Sequence, residues 1–315
     1  MAGPEQLADV GFHAGERAVQ RKAGVEKDAA RLSRMLEPVT LTGGIAGFLS
    51  DRTFVVISGR DAAGRLWTSP LVGPPGFLEV LSDTILAVHA VIPAGDPLHG
   101  LPVGQKIGMT AVEFATRRRV RLNGILTVSD GDLLLVEVEQ AFGNCPQYIQ
   151  QCILAPVDLD RGGLDQVRYG STLEPQDIAL VQAADTFFLG TAHPGRGTDA
   201  SHRGGPAGVV RADGHGLWWP DYTGNNLFNS LGNLAVNSEA ALLFFDFTTG
   251  QTLHLSGTTE IEWGEPGRPG DDGHTGRIAR FTLQRLVAGP LLPARETAQP
   301  PSAQPRADRL TRRVR

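Results

Sequence analysis

The 315-residue sequence has little cysteine, methionine or aromatic content. Its two cysteines, Cys145 and Cys152, are too few for a disulfide framework or a structural zinc site. No apolar stretch reaches the ~18 residues that a membrane-spanning helix needs, and the N-terminal residues lack the apolar core of a secretory signal. These absences predict a reduced, cytoplasmic protein without a metal ion.

The sequence also lacks several catalytic signatures. It contains no HExxH or CxxC pattern and no ordered Ser, His and Asp set, so zinc and hydrolase chemistry have no support. The sequence has no GxGxxG motif between a strand and a helix, so it does not predict a permanently bound nicotinamide cofactor. The net charge of −5 and the pI near 5.9 give no general attraction to nucleic acid or to membrane lipid. Catalytic residues are therefore not identified.

Glycine and proline are abundant, with 39 and 21 residues. This content favours many short strands and turns, and hence a mainly β fold with short helices. A charged helical region is expected over 13–37, a helix begins at Pro175, and another lies near 227–238. Residues 103–116 are expected to form a further short helix.

Two halves of the chain resemble one another. Phe54–Ser58 matches Phe187–Thr191, and Arg121–Gly124 matches His254–Gly257, both at an offset of 133 residues. Shared order and offset indicate an internal repeat. The fold predicted on this basis is two similar β-barrels in one chain, a pseudo-dimer, and one large irregular α+β domain is the alternative.

A third match within the repeat pairs Ile107-Gly108 with Leu231-Gly232, which implies that the first copy lacks a hairpin. From Pro290 onwards the composition, rich in Pro, Ala, Gln and Arg, predicts a disordered basic tail. The predicted organisation is a helical segment, a first barrel, a connector with a helix, a second barrel and the tail, at residues 1–40, 41–157, 158–182, 183–290 and 291–315.

The segment 199–233 carries the strongest functional signal. Arg203 lies between Ser201-His202 and Gly204-Gly205, and a helix start rich in amide and hydroxyl groups follows at 225–230. A guanidinium fork, a close backbone and free helical N–H groups together suit a phosphate group. The alternative is a glycine-rich turn with a solvated arginine.

Other candidates are weaker. His202 either lies near a ligand or faces solvent, and Tyr148 is left open between core and site. Nothing near Cys145 in the sequence indicates an activated thiol, so a catalytic cysteine is not expected. Trp218 and Trp219 are expected to pack in the core.

Several stretches resemble one known family. They are FHAGERAVQRKAG (12–24), FGNCPQYIQ (142–150), DASHRGGPAGVVR (199–211), PDYTGNNLFNSLGN (220–233) and ALLFFDF (241–247). Together they look like the pyridoxamine 5′-phosphate oxidase-like proteins, which are FMN-binding split β-barrels, and in particular their long members with two barrels. The resemblance covers residues 10–290 approximately and implies a flavin held between the two halves.

The resemblance also implies roles for individual residues. Arg203 is the main charge for the flavin phosphate, Gln251 is a polar contact to the flavin ring, and Ser69 belongs to the first half's equivalent of the binding strand. In the true pyridoxamine phosphate oxidases an Arg-Lys pair stands where this sequence has Asn229-Ser230, so that activity is doubtful here. The full cofactor-binding set implied is Ser201, His202, Arg203, Gly204, Gly205, Asn225, Asn226, Phe228, Asn229, Ser230, Gln251 and Ser69.

The function expected is that of a flavin (FMN)-dependent oxidoreductase with an unassigned substrate. Because the first half lacks the arginine and the glycines of the motif, one strong flavin site is expected rather than two. An F420-dependent reductase and a non-catalytic flavin- or haem-binding module are the alternatives. Expected partners are a small-molecule substrate and an electron donor such as NAD(P)H or a reductase, with no nucleic acid and no membrane. A homodimer stays open.

Overall fold

The structure, a computed structural model, describes residues 11–37, 40–159, 165–214 and 216–298. It is mainly β with short helices. A 3-10 turn at Ser33–Leu36 lies among the N-terminal helices. The α-helices are α1 Ala14–Lys22, α2 Glu26–Ala30, α3 Gly43–Ser50, α4 Pro175–Ala183 and α5 Asn229–Val236.

The first half forms one antiparallel sheet. Its strands lie side by side in the order β2-β1-β5-β6-β7-β4-β3. They are β1 Phe54–Arg60, β2 Leu66–Val72, β3 Leu78–Val80, β4 Ile85–His89, β5 Lys106–Glu113, β6 Arg118–Asp130 and β7 Leu133–Gly143.

The second half forms a sheet of the same plan. Two short strands precede it: β8 (Ile153–Pro156), and β9 (Arg168–Gly170), which pairs with β16. The main path is β11-β10-β14-β15-β16-β13-β12. Its strands are β10 Thr186–His193, β11 Gly197–Gly204, β12 Arg211–Asp213, β13 Gly216–Pro220, β14 Glu239–Phe245, β15 Thr252–Trp263 and β16 Arg277–Gly289.

Each strand of the first sheet has a counterpart at the same place in the second. The predicted fold class, mainly β with two split barrels in tandem, is confirmed. The offset of 133 residues relates two glycines in the same structural position: Gly124 follows a β-bulge in β6, and Gly257 follows one in β15. A Cβ at Gly124 would lie 2.2 Å from the Glu137 carbonyl oxygen, and one at Gly257 would lie 2.1 Å from that of Thr282. The bulge therefore requires glycine in both copies.

One part of the predicted repeat alignment is wrong. Ile107-Gly108 lies in β5, whose counterpart in the sheet order is β14, whereas Leu231-Gly232 lies in helix α5. The helix expected over 103–116 is also wrong, because these residues form β5 in the middle of the sheet. The six middle residues of β5 are all buried, so its apolar residues do not mark a single face, and periodicity alone does not separate such a segment from a helix.

The C-terminal prediction is wrong at its start. Residues 291–298 were expected to be disordered, but strand β17 (Ala294–Ala298) pairs with β8. Leu291 and Leu292 before it are buried in the apolar core. Burial of these leucines outweighs the Pro- and Gln-rich composition. The rest of the predicted tail, 299–315, lies outside the described residues, and the other predicted segment bounds stay predictions.

A shared apolar layer joins the barrels. Phe54 of β1 lies 6.0 Å from Phe188 of β10 and 5.8 Å from Phe245 of β14, measured between ring centroids. Phe54 and Phe188 are almost completely buried. Aromatic side chains of this size contribute some of the largest apolar areas in a protein core. The two halves therefore pack as one body around this layer.

Polar backbone contacts surround the apolar layer. The Thr110 hydroxyl donates to the Ala200 carbonyl at 2.6 Å, and the Thr198 hydroxyl donates to the Ser58 carbonyl at 2.9 Å. Gly108 of β5 lies so close to β11 that an added Cβ would be 2.5 Å from the Asp199 Cα. The barrels thus approach to backbone distance where β5 crosses β11.

Gly108→Ala tests this close approach. We expect it to lower the free energy of unfolding by about 1–3 kcal/mol, because the new methyl group meets backbone that cannot move aside. Gly143→Ala is the matched control, since a Cβ there meets nothing within 4 Å. Chemical denaturation of both variants measures the difference, and equal stability of the two would contradict the interface.

Candidate functional site

One cleft between the barrels collects most of the predicted site. It is lined by the end of β11, the loop before α5 and the first turn of α5 from the second half, and by β6 and the loop after β7 from the first half. We call it the inter-barrel cleft. The predicted residues that line it are Ser201, His202, Arg203, Gly204, Asn225, Asn226, Phe228, Asn229 and Ser230.

Three predicted residues do not line the cleft. Gly205 is the residue after Gly204, outside the cleft, and its N–H donates to the Asp185 carbonyl at 2.9 Å. Ser69 is completely buried within the first half, where its hydroxyl donates to Asp96 Oδ1 at 2.6 Å. Gln251 is exposed and lies beside a different pocket next to Thr252. Ser69 and Gln251 are therefore not brought together with the others.

The glycine of the predicted turn has a steric role at the cleft. A Cβ at Gly204 would lie 2.0 Å from the Tyr148 carbonyl oxygen. The loop after β7 thus crosses directly over the end of β11. Its Tyr148 ring stacks on Tyr222 with centroids 4.9 Å apart, and the Tyr148 hydroxyl donates to the Thr223 carbonyl at 3.0 Å. Tyr148, left open by the sequence, belongs to the cleft.

Arg203 points into the cleft from β11. Its Nη1 donates to Asp221 Oδ1 at 3.2 Å. Asp221 also accepts from Nε of Arg277 at 2.8 Å, so one carboxylate is shared between two guanidinium groups. Burial is the main cause that lowers the pKa of Arg203, and Asp221 partly offsets it. Arg203 is therefore a cation only partly neutralised by its neighbours.

Two further arginines, which sequence reasoning missed, come from strand β6. Arg121 forms a buried ion pair with Asp199, with Nη1 and Oδ1 3.2 Å apart, and its Nη2 donates to the Ser201 hydroxyl at 2.8 Å. Arg119 donates from Nη1 to the His202 carbonyl at 3.0 Å. Burial, followed by the charges of Arg121 and Arg203, lowers the pKa of Arg119 to about 9. The only signal in the sequence is the Arg-x-Arg alternation, which places both side chains on one face of a strand.

His202 is a neutral, buried donor. Its Nδ1 lies 3.0 Å from Arg119 Nη1, and because a guanidinium can only donate, Nδ1 must accept. The proton of the neutral ring is then on Nε2. Burial lowers the pKa of His202 well below its usual value, and the neighbouring Arg119 and Arg203 lower it further.

Buried nitrogen donors without acceptors concentrate in this cleft. Within the described ranges, four buried nitrogens of cleft-lining side chains make no hydrogen bond. A buried donor without an acceptor costs about 1–3 kcal/mol. An acceptor group bound among these side chains would satisfy donors that the protein alone leaves unpaired. The four are Nε of Arg119, Arg121 and Arg203 and Nε2 of His202.

Helix α5 begins at the cleft. Asn226 and its N-cap Phe228 have positive φ angles of 61° and 60°, so the chain turns sharply into the helix. Asn229 and Ser230 form the first turn, where backbone N–H groups lack helical acceptors and favour an anion. The helix start thus adds to the positive potential of the three arginines.

The equivalent position in the other half is closed. At the offset of 133, Arg121 corresponds to His254, whose Nδ1 lies 2.9 Å from the Thr68 carbonyl. His254, Thr68 and Ser69 are each completely buried, and burial lowers the pKa of His254. Asp96 Oδ2 lies 3.8 Å from His254 Nε2. This second position is filled by protein side chains.

Two further groups bear on chemistry. Cys152 lies in the apolar layer, where burial raises the pKa of its thiol to about 12, so it is no nucleophile. Cys145 is partly exposed in the loop after β7. Among the residues with assigned positions, no set of His, Cys, Asp or Glu is grouped to hold a metal ion, and no helix is long and apolar enough to cross a membrane.

The ion pair at the back of the cleft gives a stability prediction. Asp199→Asn leaves the buried Arg121 guanidinium without its counter-charge, so we expect a loss of about 3–5 kcal/mol in unfolding free energy at pH 8. Glu239→Gln is the control, because the Arg60–Glu239 pair also joins the barrels but its side chains are 32% and 40% exposed. The substitution should cost less than about 1 kcal/mol. Urea denaturation compares them, and a similar loss in both variants would contradict the assigned role of Asp199.

Part of the chain matches a known protein family. Residues 173–268 match the family profile described as pyridoxamine 5′-phosphate oxidase. Comparison with curated protein sequences gives no significant match.

Solved structures similar to the chain include HupZ of Group A Streptococcus, with 12% identity over 36% of this chain and 92% of that one and a TM-score of 0.30. HutZ, the haem storage protein from Vibrio cholerae, has 16% identity over 37% and 94% and a TM-score of 0.28. An F420 reductase has 14% identity over 38% and 92% and a TM-score of 0.25. Residues 173–268, within the second half of the chain, thus carry the match to the pyridoxamine 5′-phosphate oxidase family.

Proposed function

We propose that this chain is a flavin-dependent oxidoreductase that holds FMN in the inter-barrel cleft. The observation that carries the proposal is the set of buried donors without acceptors, three from arginines and one from His202. A phosphate offers several charged acceptor oxygens, and arginine is suited to bind it with paired hydrogen bonds. The residues present therefore fit the anionic end of FMN.

The charge of the cleft supports an anionic cofactor more strongly than the sequence did. Asn229 and Ser230 stand where the true pyridoxamine phosphate oxidases carry an Arg-Lys pair, which predicts a weakly basic site. Arg119 and Arg121, contributed by the first barrel, supply positive charge from another direction. Asp199 and Asp221 offset only part of it, since Asp221 is shared with Arg277.

The cleft also offers apolar and aromatic surface for a planar ring. Phe228 lines it and is partly exposed, Phe187 and Trp219 form its buried wall, and the Tyr148–Tyr222 stack lies at its edge. A site of a few convergent polar groups on an otherwise apolar wall is typical of cofactor binding. The isoalloxazine, when bound, supplies hydride and electron transfer, while these side chains position it and keep water from it.

One site per chain follows from the same geometry. The pseudo-equivalent position holds His254, Thr68 and Ser69 in full burial and has no arginine corresponding to Arg121. Opening it would require removing these side chains from the core. The proposed stoichiometry is one FMN per chain.

The reaction partner is proposed as a small-molecule substrate together with an electron donor such as NAD(P)H or a reductase. Pyridoxamine 5′-phosphate itself is not the proposed substrate, because Asn229-Ser230 replaces the Arg-Lys pair. A haem-binding role has less support at this cleft, since Nδ1 of His202 is engaged by Arg119 and the ring is buried. F420 shares the flavin-like ring and an anionic tail, so it is the alternative cofactor.

The absorption spectrum of the purified protein, with mass spectrometry of the compound released by heat, tests the proposal. Flavin bands and released FMN in a ratio near one per chain support it. Released F420 would mean that the cofactor is F420 instead of FMN, and a Soret band would mean that it is haem. A colourless protein that does not quench the fluorescence of added FMN would overturn the proposal. Bound FMN without turnover with NAD(P)H, a reductase or an oxidant would leave a binding module.

Arg203→Ala tests the phosphate contact. We expect FMN affinity to fall by roughly 10- to 150-fold, which corresponds to the ~1.5–3 kcal/mol of a hydrogen bond to a charged group. Arg285→Ala is the control, because Arg285 is exposed on β16 and does not line the cleft. Flavin fluorescence titration measures both, and unchanged affinity in Arg203→Ala would place the phosphate elsewhere.

A further inference from the structure

A carboxylate from the N-terminal helix, Glu16, contacts Asn229, which lines the inter-barrel cleft. Glu16 belongs to a capping box, in which His13 N–H donates to Glu16 Oε2 at 2.8 Å and Gly15 N–H donates to His13 Nδ1 at 3.1 Å. A capping-box glutamate normally lies at the protein surface, but Glu16 is only 3% exposed. Its burial therefore needs a reason beyond helix capping.

Two glycines bring the carboxylate to this position. Helix α1 crosses helix α5 where an added Cβ at Gly15 would lie 2.2 Å from the Gly232 carbonyl oxygen. A Cβ at Gly232 would lie 2.4 Å from Glu16 Cγ. The helices are thus in backbone contact, and the crossing holds Glu16 against Asn229 in the first turn of α5.

The contact fixes the orientation of the Asn229 amide. Asn229 Nδ2 donates to Glu16 Oε1 at 2.5 Å, and because an ionised carboxylate only accepts, the amide nitrogen must face Glu16. The amide oxygen then faces Arg121 and accepts from its Nη1 at 3.2 Å. A hydrogen-bonded path therefore leads from Glu16 through Asn229 to Arg121.

We propose that Glu16 is a positioning residue of the cleft, which acts through Asn229 to hold Arg121 in the orientation that receives an anion. The inference rests on the proposed function, because the anion is taken to be the phosphate of the cofactor. The reversed amide would turn the Asn229 Nδ2 donor toward a guanidinium that can only donate. The carboxylate adds to the preference of Arg121 against this reversal.

The protonation of Glu16 makes the effect depend on pH. Burial raises the pKa of Glu16 to about 7, opposed by hydrogen bonds from His13 and Asn229 and by the charge of Arg196, whereas Asp199 raises it slightly further. His13 lies 3.6 Å away, but burial lowers its pKa to about 4, so near pH 7 it is neutral. Glu16 is therefore protonated below about pH 6 and ionised above about pH 8.

A protonated Glu16 has a hydroxyl that can donate to the Asn229 oxygen, so its contact no longer selects one amide orientation and only Arg121 does. Glu16→Gln reproduces this state at every pH, and glutamine retains the capping box. Asn229→Ala removes the intermediate group and separates positioning from the direct effect of the charge. Two probes are used, FMN by fluorescence quenching and inorganic pyrophosphate by calorimetry, each at pH 5.5 and pH 8.5.

We expect Glu16→Gln to weaken binding about fivefold at pH 8.5, the factor expected for one hydrogen bond, and to leave it within about twofold at pH 5.5. In the Asn229→Ala background the same substitution should change affinity less than about twofold at either pH. An equal effect of Glu16→Gln in both backgrounds, or one pH profile for wild type and Glu16→Gln, would overturn the inference.

The two probes also test the proposed function separately from the role of Glu16. If wild type binds pyrophosphate but not FMN, the flavin proposal fails, and the positioning role is judged on the pyrophosphate series. If wild type binds neither probe, the cleft is no anion site and both proposals are overturned.

Discussion

The ion pair between Arg121 and Asp199 constrains the relative position of the two barrels. Each side chain comes from a different half of the chain, and the exposed fractions are 8% and 5%. Removing one charge from water without its partner costs several kcal/mol, so a displacement that separates them is disfavoured. The hydrogen bonds from the Thr110 and Thr198 hydroxyls to carbonyl groups of the opposite barrel further fix the relative orientation of the barrels. The cleft depends on this pair, because the same guanidinium that holds the barrels together also forms one of its walls.

The two halves keep one topology but have taken different roles at equivalent positions. Arg121 in β6 corresponds to His254 in β15, and Asp199 in β11 is replaced by Thr68 in β2. In one place a charged pair borders an open polar cleft, and in the other a buried imidazole fills the space. A single chain with two copies allows this difference, whereas a symmetric homodimer would present the same residues twice. One inter-barrel position is thus an open polar cleft, and the other is packed core.

Contiguous features were predictable from the sequence, and contacts between distant residues were not. The Arg203 turn and the start of α5 lie within one short stretch, so their residue types alone predicted an anion site. Arg119 and Arg121 are missing from that prediction because they lie about 80 residues away and reach the cleft only through the pairing of the barrels. Ser69 and Gln251 failed to join the cleft for the converse reason, since an equivalent place in a repeat does not guarantee an equivalent environment. The segment 103–116 contains a strand instead of the predicted helix because β5 is placed by its pairing with β1 and β6, which the local sequence does not show.

The N-terminal helices belong to the functional unit rather than to its periphery. Buried Glu16 opposes folding at neutral and alkaline pH, because a raised pKa means that the folded state favours the protonated form and loses stability as the carboxyl ionises. A glutamine would retain the capping geometry without this cost. The close approach of Gly15 and Gly232 adds a second requirement, since either position tolerates no side chain in this packing. Stability alone does not explain why Glu16 is buried at the contact between the two glycines. The hydrogen bonds from Glu16 through Asn229 to Arg121 connect it to the cleft.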